Sequence, residues 1–322
     1  MSNVIPKVTS YVSDARVAWK VTNGVFAVYK PPSVTYLNTR YTLINRLCED
    51  LNSMNVRPPK QHVCIKGDTT KRMRVITHPS YADHPLVVGP RYQPQDFKLV
   101  CANYLGTDVS GLMLCGINKG TKWIDKLKNS KSPTSYKVKG ILGQATDNYF
   151  KTGKIVEKST YKYIKRKDID RICAAIQAGH QKKMFELSGV HIQSQAAYEL
   201  AVQGLIRPAN NNIPMIYTIK CIDFNSPEFT LEIVCINENE MYLKTIVHDI
   251  GMQLHSVATC TQIQCFRYAL FNMSVALLKK HWDLQNILEN MELCNKILEK
   301  NSYLLNQINP ILEKTEEKQM ES

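Results

Sequence analysis

The stretch 99–157 constrains this chain more than any other, because it sets a buried strand between a glycine-bearing loop and a basic helix. The run 112–117 is short, apolar and bounded, as a strand inside a sheet is. Ahead of it, the loop Leu105-Gly106-Thr107-Asp108-Val109-Ser110-Gly111 contains two glycines, which open backbone paths closed to other residues. That loop puts one carboxylate, Asp108, at the mouth of the strand. Residues 119–139 then carry seven lysines against one acid, Asp125, with Trp123 and Tyr136 among them. A carboxylate beside a basic, aromatic-bearing strip suits chemistry on a polyanion. For any single one of Lys122, Lys126, Lys128 or Lys131, a solvated helix face is an equal reading.

The charge of the whole chain agrees. A net charge of +13 favours a nucleic acid or an anionic surface as partner and is silent about fold. A basic protein without such a partner is as good a reading of the charge taken alone. At 322 residues the chain can bury one large core or two small ones, and 44% hydrophobic with 21% charged residues is a globular composition. None of the ten cysteines forms a CxxC pair, and Cys115 and Cys235 sit inside apolar runs. They read as small buried hydrophobes rather than disulfides or zinc ligands. No apolar run is long enough to span a bilayer. Residues 1–20 read as a polar leader with Lys7, Arg16 and Lys20 offset by Asp14, without a secretory signal or a clear amphipathic repeat.

In order, Asn23-Gly24-Val25-Phe26-Ala27-Val28-Tyr29-Lys30-Pro31-Pro32 reads as a turn, a strand and a proline stop. Leu43, Ile44, Leu47 and Leu51 predict an amphipathic helix over 42–54. Residues 55–95, rich in proline and basic residues such as Lys71-Arg72-Met73-Arg74, read as an irregular insertion. A helix is expected over 169–177, and two strands over 217–224 and 229–236 around an Asn225-Ser226-Pro227 turn. From Trp282 onward, apolar residues three to four apart predict an amphipathic helix that packs on the core, and the charged end 309–322 reads as loose. An alternative for that helix is a docking surface for a protein partner.

Four ordered pieces of this sequence resemble the TruB family of pseudouridine synthases, and its mitochondrial branch in particular. They are the glycine-strand-Lys-Pro segment at 24–31, Tyr136-Lys137-Val138 with Gly143-Gln144-Ala145-Thr146-Asp147 and Gly153-Lys154-Ile155-Val156-Glu157, the serine-led turn with Tyr198-Glu199-Leu200-Ala201-Val202-Gln203-Gly204, and Tyr242-Leu243-Lys244 with Arg267-Tyr268-Ala269-Leu270-Phe271. The resemblance implies an α/β (α+β) fold, a mixed and largely antiparallel sheet core with surrounding helices, over residues 21–282. The leader would precede it, and the C-terminal helix and tail, 283–322, would follow. It implies isomerisation of uridine to pseudouridine in RNA (tRNA or mitochondrial mRNA), in the mitochondrion, with no metal or organic cofactor.

Several positions depart from the family. His191 stands where a lysine is usual, Val202 where an arginine is, and Lys244 where an arginine meets the catalytic aspartate. A lysine keeps that charge but loses the planar fork. Anchored on Ser110-Gly111, the family's aspartate falls at Gly106 and its upstream histidine at Cys101. Asp108 lies two residues later, which keeps an extended side chain on the same face. The roles expected are therefore Asp108 at the sugar, Tyr136 against the base and as proton acceptor, Lys244 beside the aspartate, and Lys122, Lys126, Lys128, Lys131 and Lys137 on RNA. A surface turn is the other reading of Asp108. A scaffold that binds RNA without catalysis is the other reading of the whole.

Overall fold

The computed structural model describes residues 14–56, 61–68, 70, 72–79, 85–203 and 213–301. The readings made of Lys71, of Gly204 and of the tail 309–322 fall outside these residues.

Helix α1 (Ala15–Val21) starts at Asp14, whose carboxylate accepts from the Arg16 amide, and it buries Ala15 and Ala18. The end of the segment read as a leader is thus packed on the core. Strand β1 (Gly24–Lys30) is buried at all but one position. Helix α2 (Tyr36–Ser53), capped by Thr35, begins six residues before the periodic stretch, because exposed Leu37 and Tyr41 blur the pattern of its first turns. The segment expected to be irregular instead carries a hairpin, β2 (Gln61–Lys66) with β3 (Arg74–Pro79), followed by the short helix α3 (Pro85–Val88). Apolar Val63, Ile65 and Val75 are exposed on it, so its alternation marks no core face and does not register as a strand in the sequence.

The remaining elements are β4 (Leu99–Cys101), β5 (Val109–Ile117), α4 (Thr121–Asn129), β6 (Thr134–Leu142), β7 (Gln144–Thr146) paired with β8 (Ile155–Lys158), α5 (Arg166–Leu187), α6 (Gln195–Gln203), β9 (Met215–Asn225), β10 (Glu228–Ile236), α7 (Glu240–Gln253), β11 (Ala258–Tyr268), β12 (Phe271–Asn272) and α8 (Leu284–Lys300). The main sheet runs β1-β5-β11-β6-β10-β9, with β4 also on β5 and β12 on β11. Among its described pairings only β5 with β11 is parallel. The mixed, largely antiparallel sheet with surrounding helices expected from the resemblance is the one observed.

Helices close the core where their apolar stripes demand it. On α7, Val247 sits so close over β6 that a Cβ on Gly140 would lie 2.8 Å from it and 2.5 Å from Phe229. Helix α8 buries Leu284, Ile287, Met291, Cys294 and Leu298, packs on β1, and accepts from the Ala27 amide at 2.8 Å through the side-chain Oδ1 of Asn290. Nine of the cysteines are buried and free, with Cys64 between core and surface. Among the described residues no helix is long and apolar enough to cross a membrane.

Candidate active site

The loop ahead of β5 is held from below by a buried lysine. Lys30, at the end of β1, is fully buried, and its ammonium donates to the carbonyls of Val109 at 2.7 Å, Pro31 at 3.2 Å and Thr107 at 3.4 Å. Burial pulls its pKa down to about 8, against the opposing pull of the Glu240 and Asp108 charges. On the other side, Gly111 has φ +124°, and a Cβ there would lie 2.1 Å from the Cys265 carbonyl oxygen. Only glycine fits there, at the last β5 residue of the parallel pairing with β11. Asp108 is fixed between these two restraints.

Lys244, in the second turn of α7, reaches Asp108. Its Nζ lies 2.6 Å from Asp108 Oδ2 and 2.5 Å from Glu240 Oε1. The lysine is buried, while the two carboxylates keep about a fifth of their side-chain surface (22% and 21%). Burial works against the ammonium, but the hydrogen bonds to Asp108 and Glu240 outweigh it, and the Lys244 pKa is raised. Its charge also faces the Phe150 ring at 4.8 Å, from the loop that follows β7. The structure thus brings together Asp108 and Lys244 and adds Glu240, which sequence reasoning missed. One signal was available: Glu240 and Lys244 are spaced i,i+4 at a helix start, the favourable order for an ion pair.

Tyr136 has a different set of partners: none of Asp108, Lys244 and Glu240 hydrogen-bonds to it or lines its cleft. Its side chain shares a face of β6 with Val138 and Gly140, the face α7 covers, and is 4% exposed. Its hydroxyl donates to Glu238 Oε1 at 2.7 Å. The acids that meet Tyr136 and Lys244 are therefore two residues apart on the turn into α7. Burial, with the Glu238 charge adding to it, pushes the phenol well above its ordinary pKa, so it stays protonated. The ring lines a cleft of about 320 Å³ together with Asn103, Tyr104, Lys128, Lys131 and Glu238.

The basic strip is arranged over aromatic rings. Lys126 lies 4.9 Å from the Trp123 ring centre and Lys128 4.6 Å from that of Tyr104, whose hydroxyl accepts from it at 3.1 Å. Lys122 is exposed on the same helix, α4, and Lys131 follows its end at the cleft. Lys137 is not with them. Strand alternation turns it to the opposite face of the sheet from Tyr136, over Phe266 at 5.5 Å. His191 is exposed in the turn before α6 and bonds locally to the Gln193 amide at 3.3 Å.

A family described as "TruB family pseudouridylate synthase (N terminal domain)" matches residues 100–241, from β4 through Asp108 and Tyr136 to the first residues of α7. The chain belongs to the TruB family of pseudouridine synthases. Within it, this sequence is similar to the mitochondrial pseudouridylate synthase TRUB2 of Xenopus tropicalis, at 38% identity over 84% of each chain. It is equally similar to that of Homo sapiens, at 38% over 82% of each. The pseudouridylate synthase TRUB1 of Mus musculus is 27% identical over 86% of this chain and 72% of its own. Among solved structures, an archaeal box H/ACA sRNP Nop10–Cbf5 complex overlays with a TM-score of 0.46 at 11% identity, over 88% of this chain and 60% of that one. That likeness is too distant to add to the assignment.

Proposed function

We propose that this chain isomerises uridine to pseudouridine in RNA, tRNA or mitochondrial mRNA, and does so in the mitochondrion, as the names of its TRUB2 relatives suggest. The observation that carries the reading is the Asp108–Lys244 ion pair at 2.6 Å, at the mouth of the sheet of a TruB-family chain. The unit that would act is the single core around that sheet, which takes in α1 and α8 as well as residues 21–282.

The reaction breaks the glycosidic C–N bond, turns the uracil and rejoins C5 to the ribose, so nothing is oxidised and no group leaves. Asp108 acts at the sugar, and Lys244, hydrogen-bonded to its Oδ2, keeps it oriented. The target base must leave its stack to reach them. The Tyr136 hydroxyl takes the proton released at C5 by passing its own to Glu238, since a buried phenol bonded to a carboxylate accepts only if it can hand a proton on. The base nitrogen freed from the sugar gains a proton in turn, which closes the balance. Lys122, Lys126, Lys128 and Lys131 hold backbone phosphates without reading sequence. Lys137 would serve RNA only on the far face of the sheet. A protein partner on α8 would have to use its outer face, because the apolar stripe is covered by β1.

The test is Asp108→Asn, which keeps size and most hydrogen bonding. Folding and RNA affinity should persist while pseudouridine formation disappears. Equal turnover in wild type and variant refutes the role of Asp108. No turnover in either, with RNA still bound, favours the alternative of an RNA-binding scaffold without catalysis.

A further inference from the structure

We propose that Glu240 is the residue that positions Asp108 and Lys244, its carboxylate filling the volume that a side chain on residue 106 would otherwise take. The inference rests on the synthase reading and adds a working residue to it from a different element.

Three observations carry it. Glu240 bridges the pair, since Oε1 accepts from Lys244 Nζ at 2.5 Å and Oε2 from the Asp108 amide at 3.4 Å. Gly106, unlike Gly111, has no left-handed backbone to explain it, yet a Cβ placed on it would lie 1.7 Å from Glu240 Oε2 and 2.7 Å from its carboxyl carbon. Residue 106 is a glycine for room, and the room is taken by Glu240. Finally, Glu240 is the first residue of α7, directly after the Asn239 cap, where the free amides of the helix end favour an anion. An acid at that point is held rigidly by a helix that packs on β11.

The two acids then divide the work. Both oxygens of Glu240 are engaged with protein. Asp108 uses Oδ2 on Lys244, and among the described residues its Oδ1 has no hydrogen-bond partner. Asp108 is the acid with an oxygen left for the substrate, and Glu240 keeps it aimed. Lys244 contacts both carboxylates, while the Lys30 ammonium is spent on the carbonyls of Pro31, Thr107 and Val109.

The experiment compares wild type, Glu240→Gln, Glu240→Ala and the double variant Gly106→Asp with Glu240→Ala. Steady-state pseudouridine formation, thermal melting and amide exchange at Asp108 are read for each. Glu240→Gln should lower kcat on the order of 10- to 100-fold, the cost of a misplaced reacting group, with KM near wild type because the groups that hold phosphate are untouched. In the double variant the loop-borne carboxylate enters the vacated volume, so kcat should recover above that of Glu240→Ala. Amide exchange at Asp108 should quicken in Glu240→Ala and slow again in the double variant. Wild-type kcat in Glu240→Gln overturns the inference. So does a double variant whose melting temperature recovers while kcat does not, which would make Glu240 a structural residue only. If wild type forms no pseudouridine, the synthase reading fails by itself and the exchange decides: quickened exchange upholds the positioning role, unchanged exchange overturns it.

Discussion

Replacing Lys244 with methionine isolates the ion pair, because the side chain keeps nearly its length and loses only its charge. The substitution leaves Asp108 and Glu240 facing each other at the start of α7 with no ammonium between them. Breaking a buried pair by deleting one partner costs about 3–5 kcal/mol. Here both carboxylates retain about a fifth of their surface, 22% and 21%, and regain some hydration, so the loss at pH 7 is nearer about 2–3 kcal/mol. For a chain this large that lowers the melting temperature by roughly 5 °C. Turnover should fall while RNA affinity holds, since the lysines of α4 are untouched. Melting curves of Lys244→Met and wild type at pH 7 test this. Equal melting refutes the argument that the ammonium holds the two carboxylates together.

Tyr136→Phe should fold, lose about 1–2 kcal/mol with the hydrogen bond to Glu238, and slow product formation; a sharp drop in melting temperature with full activity per folded molecule would make the hydroxyl a core bond only. Replacing Lys126, Lys128 and Lys131 with alanine should flatten the salt dependence of RNA binding by about one unit of slope for each phosphate no longer neutralised, and an unchanged slope in a filter-binding titration removes the strip from the RNA site. Lys30 gives a pH signature. Its folded pKa of about 8 lies below the ordinary 10.5, so between these values the unfolded chain binds the extra proton and stability rises with pH. Urea unfolding at pH 8 and 10 should show that rise in wild type and not in Lys30→Met. Lys244, whose pKa is raised, contributes stability that is fully present below about 10.5 and is lost only above it, so it does not mask the Lys30 window.

The parts of this molecule that were legible in the sequence are those with local signals. The strand 112–117 and the paired strands around Asn225-Ser226-Pro227 carry their period and their breakers within a dozen residues. The pairing of Asp108 with Lys244 was legible through resemblance, since nothing in spacing joins residues 136 apart. Lys30 was read as the end of an ordinary strand, because a lysine before Pro-Pro looks like a surface stop. Only the fold shows that its ammonium lies beneath the 107–109 backbone. The two loop glycines looked alike in sequence and differ in cause: Gly111 answers to its own φ, Gly106 to a carboxylate 134 residues away. The hairpin 61–79 was missed because its apolar residues Val63, Ile65 and Val75 stay exposed, so their alternation points to no buried face.

The position of β11 has a consequence for how the chain comes to be folded at all. It lies between β5 and β6, pairing with the first through Ile263–Cys265 and with the second along most of its length. Chain emerging from synthesis up to residue 241, the limit of the family match, holds both flanking strands but not the one that joins them. Until residues 258–268 arrive, β5 and β6 each present an open edge, the kind that pairs with other chains. Pairings of such long sequence separation also form slowly. Asp108 stands where β5 meets β11, so the loop takes its working shape among the last events of folding. A truncation that spares every residue of the site up to Lys244 would still deliver no site, and its product should aggregate rather than fold to a smaller domain.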